Sequence, residues 1–324
     1  MKNIAQLPII LMALLFTVSC TQSEQPGVFP KEYTLQGDSV STQATIYVSY
    51  YLGFEDGNVI LPSPKNRADT LLHFYSTPDL KLRLSTGVVG HSKMEFQDSP
   101  YICHSPSGGL YIKGYTPWSI RKVQIKDDKL VDLGHFTLET PGAPNNMHII
   151  DDSLFFYTLF SKNLICSYNF KQQKAAHEFN LHDLYNCRDR LLMGSLSVNN
   201  HLAVYAMQYK REIVVLNAKD LSYIKTIKRE YENQDKEVEN NAQDFTIYYT
   251  GGFSTQDKFY LMYRGFKINS SDIKCDIEVY DNNMNPLCVY HLNPDPGDFV
   301  VDEKNGYIYG YTNPDYIYRY KLPK

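Results

Sequence analysis

Short runs of apolar and aromatic residues, broken by polar turns, recur along the chain. From Gly306 it reads GYIYGY, then TNPD, then YIYRYKL. The same grammar appears as SPYICHSPSG, GLYIKGY, TPW and SIRKVQI over 99–125, and as NNMHIIDD, SLFFYTLF, SK and NLICSYNF over 145–170. It returns as GSLSVNN, HLAVYAM, QYKR and EIVVLNA over 194–218, as GGFSTQD, KFYLMYRG and CDIEVYD over 251–281, and as EDG, NVILP, SPKNRAD and TLLHFYS over 55–76. Runs of this length bounded by Gly, Pro, Asn and Asp predict strands. Helical periodicity nowhere extends beyond a turn or two after the N-terminal segment.

Aligning the first core residue of the second strand in each copy gives Val59, Leu110, Leu154, Leu202, Phe259 and Tyr307, at separations of 51, 44, 48, 57 and 48 residues. Most copies add a fourth strand after a tight polar turn: LVDLGHFTL after KDDK, AAHEFNL after KQQK, PLCVYHL after DNNMN. A fixed period of four-stranded units predicts an all-β, six-bladed β-propeller of antiparallel blades. A sandwich or barrel leaves the period unexplained. The first blade is predicted to begin near Tyr47. The last copy stops after its third strand, which would leave an exposed edge. The isolated strand in KEYTLQGDSV, predicted over 31–37, therefore completes the last blade and closes the ring. The C-terminal tyrosines are expected to pack between blade faces, with hydroxyls reaching water or backbone.

The N-terminus adds an address. Lys2 precedes an apolar run from about Leu7 to Val18, too short to span a bilayer, which takes about 20 residues; it has the form of a signal-peptide core. Thr17-Val18-Ser19-Cys20 resembles a bacterial lipobox with Thr17 where Leu is usual. The resemblance implies acylation of Cys20. The chain then divides into a signal peptide over 1–19, a lipidated tether over 20–30 that includes TQSEQPG, and one propeller domain over 31–324. The residue after Cys20 is not Asp, which by resemblance to lipoprotein sorting implies the outer membrane of a bacterial cell envelope. Lipobox, six irregular blades and the ending VVDEKNGYIYGYT…YIYRYKL together resemble the TolB-like six-bladed propeller lipoproteins of Bacteroidetes. That resemblance covers nearly the whole mature chain and implies a fold and a location more than an activity. The G-x-G-P-x-E-F stretch of many relatives reads GVVGHSKMEFQDS here, keeping Glu95-Phe96 but losing much of its glycine.

Composition narrows the partners. The net charge of −4 over 324 residues disfavours nucleic acid, which needs a basic surface. The 27 tyrosines suit strands. Besides Cys20 there are five cysteines, Cys103, Cys166, Cys187, Cys275 and Cys288, without a CxxC pair. A hairpin at DNNMNP would set Cys288 opposite Val279, leaving Cys275 roughly 13 Å out of register at about 3.3 Å per residue. All five are therefore expected to be buried free thiols. No cofactor is expected, and the protein is expected to be a monomer.

Loops between second and third strands share a face with the connections into the next blade, and on that face they are longer and richer in aromatic and basic residues. Trp118, Lys162, Arg188, Arg190, Tyr209, Lys210, Arg264 and Lys267 form the candidate ligand-binding face, with Arg211 and Phe266 beside them. Trp118 could stack on a sugar or plug a gap between blades. The basic residues could meet carboxylates or sulfates, or be solvated surface charge. His104 and His148 each lie six residues before a strand anchor, so both approach the central channel; with Asn145, Asn146 and Asp298 they are the one conceivable metal or catalytic group. No HExxH, GxSxG or phosphate-loop motif is present. Asp127-Asp128 and Asp151-Asp152 fall in turns and suit turn formation. The charged insertion 229–244 is expected to be a solvated loop or short helix. The leading functional expectation is a membrane-anchored binding module, not an enzyme, for a glycan, peptide or envelope protein. The competing one is a propeller lactonase, hydrolase or lyase acting on a sugar-derived substrate.

Overall fold

The computed structural model describes residues 28–44, 51–67, 69–240, 244–271, 273–313 and 315–323. The signal segment, Cys20, most of the tether and Tyr47 lie outside the described residues. Among those residues the chain is all-β: one five-residue α-helix, α1 (Asp235–Glu239), and three short 3-10 turns accompany the strands. Strand β1 (Glu32–Ser41) comes first.

Four four-stranded antiparallel sheets follow in chain order. The first holds β2 (Gly53–Glu55), β3 (Asn58–Pro62), β4 (Leu72–Ser76) and β5 (Lys81–Thr86). The second holds β6 (Tyr101–Cys103), β7 (Leu110–Lys113), β8 (Ser119–Lys126) and β9 (Lys129–Thr137). The third holds β10 (Asn145–Ile149), β11 (Leu154–Leu159), β12 (Leu164–Asn169) and β13 (Lys174–Asn180). The fourth holds β14 (Gly194–Val198), β15 (Leu202–Met207), β16 (Glu212–Asn217) and β17 (Tyr223–Lys228). The run β18 (Thr246–Ser254), β19 (Lys258–Lys267), β20 (Asp276–Asp281), β21 (Pro286–Asn293) and the run β22 (Asp298–Asp302), β23 (Tyr307–Asn313), β24 (Tyr316–Lys321) join through β1 into one eight-stranded sheet. All six sequence anchors fall on the second strand of their run.

Burial explains the layering. The second strands β3 and β15 are buried at every residue, because sheets cover them on both sides. The outer strands β5 and β9 alternate exposed and half-buried positions, because one face meets water. Tight turns carry the register. Asp127 and Asp128 both take positive φ, 49° and 53°, in the β8–β9 hairpin, and Asp151 Oδ1 accepts the Ser153 and Leu154 N–H groups.

Strand β1 closes the last blade as expected, but with Gly37–Ser41 and not with the predicted 31–37. Its second half pairs antiparallel with β24, Gly37 to Tyr320 through Ser41 to Tyr316. Its first half pairs parallel with β21, Glu32 to Val289 through Gln36 to Asn293. The strand changes partner at Gly37, where a Cβ would lie 2.6 Å from the Tyr320 ring. Of the C-terminal tyrosines, Tyr309, Tyr311 and Tyr320 are buried in a core shared with Leu61, Tyr75 and Leu80 of the first sheet. The Tyr320 hydroxyl donates to the Pro294 carbonyl at 2.5 Å, while Tyr316 is exposed.

Two expectations are corrected. The 229–244 insertion holds the expected short helix but is not merely solvated: Val238 of α1 is fully buried against Leu191, Tyr209 and Phe245. The buried Gln234 amide donates to the Tyr209 and Thr246 carbonyls at 3.1 and 2.7 Å, and its oxygen accepts the Thr246 N–H at 2.6 Å. A charged composition hid one apolar anchor and one satisfied amide. All five described cysteines are free, and Cys288 does sit opposite Val279, but Cys187 is only half-buried.

Candidate functional site

The first strand of each run faces the molecular axis. Strand β2 touches β22, β22 touches β18, β18 touches β14, β14 touches β10, and β10 touches β6. Gly53 on β2 backs onto Ile102 of β6, so the circuit is complete. These strands enclose a cavity of about 210 Å³. Tyr51, Tyr101, Asn146, Ser195, Thr250, Gly297 and Asp298 line it toward the ends where the chain enters the inner strands. That is also the face of the loops between second and third strands. His104, His148 and Phe253 lie deeper.

The floor is built from the histidines. His104 Nε2 lies 2.6 Å from the Ser254 carbonyl, on the inner strand three runs further along the chain. Its ring sits 4.2 Å from Phe253 and 5.7 Å, edge-on, from His148. His148 Nε2 donates to the Leu196 carbonyl at 2.7 Å. Burial pushes both rings away from their charged forms, His104 to about 4 and His148 to about 3, the latter helped by His104. Both are neutral at pH 7, with Nε2 carrying the proton toward a carbonyl. The cavity is thus a cup closed by a polar and aromatic floor, open on the loop-rich face.

Among the described residues the wall carries one charge. Asp298 Oδ2 accepts the Leu52 N–H at 2.6 Å. Burial outweighs the hydrogen bonds from Leu52 and Phe299 and pushes its carboxyl up to about 6. Among the described residues no lysine or arginine lines the cup. Arg264 lies behind the wall: its guanidinium pairs with Asp295 at 2.5 Å and donates to the Pro296 and Gly297 carbonyls at 2.7 and 3.2 Å and to Thr250 Oγ1 at 3.2 Å. It clamps the loop that delivers Asp298. Asn146 sits at a β-bulge with φ of 45° and turns both amide hydrogens outward, toward Thr158 Oγ1 and the Gly194 carbonyl. Gly252 is needed where β18 meets β14, since a Cβ there would sit 2.3 Å from Ser197 Oγ.

Of the eight residues predicted for the ligand face, none lines the cup. Trp118 is 62% exposed in the β7–β8 turn, and Lys162 is exposed in a 3-10 turn after β11. Arg188, Arg190, Tyr209 and Lys210 gather around α1. Arg188 pairs with Glu239 at 3.5 Å, Arg190 lies over the Tyr209 and Phe245 rings, and Lys210 is buried on Asp235 at 2.8 Å. Lys267 pairs with Asp244 at 3.2 Å. The structure brings together instead the group predicted from the histidine register, His104, His148 and Asp298. Among the described residues no three His, Cys, Asp or Glu side chains converge on a common metal position. Tyr51, Tyr101, Ser195 and Thr250 were missed. They sit two to four residues before the end of an inner strand, with no common register that marks them in the sequence.

The arrangement defines a β-propeller with an axial cup. No protein-family model matches the chain, and no curated protein matches it. Solved structures share the fold. Virginiamycin B lyase from Staphylococcus aureus aligns with a TM-score of 0.51 at 12% identity, over 89% of this chain and 100% of that one. A Bacteroides fragilis protein named as exported aligns at 0.56 and 8%, over 90% and 99%. A member of the DUF4221 family from Bacteroides vulgatus aligns at 0.53 and 10%, over 88% and 97%. At such identities the likeness carries the propeller fold and no chemistry.

Proposed function

We propose that the chain is a cell-envelope lipoprotein, anchored through Cys20, whose six-bladed propeller binds the end of a glycan or peptide in the axial cup. The count of six takes the eight-stranded sheet as two blades that share β1. The name of the Bacteroides fragilis neighbour, an exported protein, supports the envelope location. The observation that carries the reading is the cup itself: a blind, polar-walled cavity opening on the loop-rich face, with its histidines already occupied by backbone carbonyls. The exposed Trp118 and Lys162 extend the binding surface outward from its rim. A glycan and peptide binding screen with the wild type and Gly251→Leu tests it. A Cβ at Gly251 meets Asp298 Oδ1 at 3.8 Å and the Met262 side chain at 3.9 Å, so leucine there crowds the Asp298 wall of the cup without a backbone clash. Binding lost in Gly251→Leu supports the cup; binding unchanged places the ligand elsewhere.

A second reading rests on Asp298. A carboxyl held near 6 beside two tyrosines suits a general base acting on a sugar-derived substrate. Turnover that disappears in Asp298→Asn while binding persists would favour it.

A further inference from the structure

The charge and hydrogen-bonding sense of the cup select a ligand class. Asp298 has no ion-pair partner among the described residues; its Oδ2 accepts the Leu52 N–H, and its Oδ1 lies 3.8 Å from where a Cβ on the cup-lining Gly251 would stand. The nearest cation, Arg264, is spent on Asp295 and two carbonyls behind the wall. Asn146 has turned its donors away and keeps its carbonyl oxygen as an acceptor. With each histidine's Nε2 proton given to a carbonyl, neither ring has a donor left for the cup. Such a wall leaves a cationic, donor-rich group unopposed and repels carboxylates and sulfates. Tyr51 and Tyr101, with ring centroids 4.8 Å apart, flank the carboxylate and present the aromatic surface that cations favour.

We infer that the cup takes a primary ammonium group on a small polar molecule, with Asp298 as its counter-ion and Tyr51 and Tyr101 as its aromatic wall. This rests on the reading that the cup is the binding site. An amino sugar and an aliphatic diamine offer the same group on different frames, and the frames are separable by experiment.

Isothermal titration calorimetry with glucosamine, N-acetylglucosamine and cadaverine tests the inference. Glucosamine is expected to bind at least about tenfold tighter than its uncharged N-acetyl form, a difference of about 1.4 kcal/mol. Cadaverine binding as tightly as glucosamine would assign recognition to the ammonium alone; weaker cadaverine binding would assign part of it to a sugar ring. Asp298→Asn keeps an oxygen for the Leu52 N–H and should abolish the preference for amines. The wild type gives an independent readout: amine affinity should fall as pH drops below about 6, when the carboxyl takes up its proton. Equal binding of glucosamine and N-acetylglucosamine, a preference that survives Asp298→Asn, or no saturable binding of either amine would overturn the inference. N-acetylglucosamine binding without amine preference, lost in Gly251→Leu, would overturn it and leave the cup as the binding site.

Discussion

His104 bonds to the carbonyl of Ser254 from an inner strand three runs away, Nε2 to oxygen 2.6 Å. One side chain thereby ties distant parts of the ring and closes the cup. The bond requires a neutral ring with its proton on Nε2, and burial enforces that state, as it does for His148. Long-range imidazole nitrogen NMR should show both rings as Nε2–H tautomers that do not titrate between about pH 8 and about pH 5, across the ordinary histidine range near 6.5. The folded pKa values lie below the unfolded one, so the unfolded chain takes up protons first. Stability from these two groups is whole above about pH 6.5 and declines as pH falls toward 4.

Asp298 works in the opposite direction. Its folded pKa, about 6, lies above the ordinary aspartate value, so the ionised carboxylate costs native stability at neutral pH. Asp298→Asn should raise stability at pH 7 by roughly 1–3 kcal/mol. The gain should shrink as pH falls through 6 and vanish below about 4, where the wild-type carboxyl is protonated in both states. Denaturant melts of both proteins at pH 7 and pH 4 check this. A variant more stable than wild type but unable to bind would mark Asp298 as kept for function.

Arg264 is a positioning residue for the cup. Its guanidinium is buried, and removing it strands Asp295 and two carbonyls without their donor. Arg264→Ala should lose about 3–5 kcal/mol of stability. Arg264→Lys keeps the charge but not the planar fork, so it should fold and yet bind any cup ligand more weakly through a displaced Gly297–Asp298 wall. Chemical denaturation and calorimetry on the two variants separate the effects.

The partner change of β1 makes Gly37 sensitive. Alanine there must push on the buried Tyr320 ring, whose hydroxyl is held by Pro294. Gly37→Ala should cost about 1–3 kcal/mol by overpacking. Removing residues 28–41 should do more, exposing the edges of β21 and β24 together. Light scattering should then show association, alongside a lowered thermal midpoint.

The strand order was legible because each run repeats one apolar pattern with hairpin turns between. Val59 through Tyr307 marked the second strands, and the position of Cys288 opposite Val279 followed from one turn. The parallel half of β1 was not legible: the pattern of EYTLQ is the same whichever strand it joins, and only the spatial nearness of β21 decides it. The predicted ligand-face residues lie outside the inner strands that line the cup. Long basic loops drew attention outward, yet Arg264 and Lys210 spend their charge inside the protein. The cup is made from the inner strands and the segments that lead into them, whose Tyr51, Ser195 and Thr250 look like ordinary residues until the ring brings them together.

Strand β1 also sets a direction. It enters beside the Asp281–Asn285 turn, where Phe29 packs edge-on against Tyr280, and runs from there toward the loop-rich side. The described chain therefore starts on the side of the propeller opposite the loop-rich face. With the proposed anchor at Cys20, the mouth of the cup would face away from the membrane.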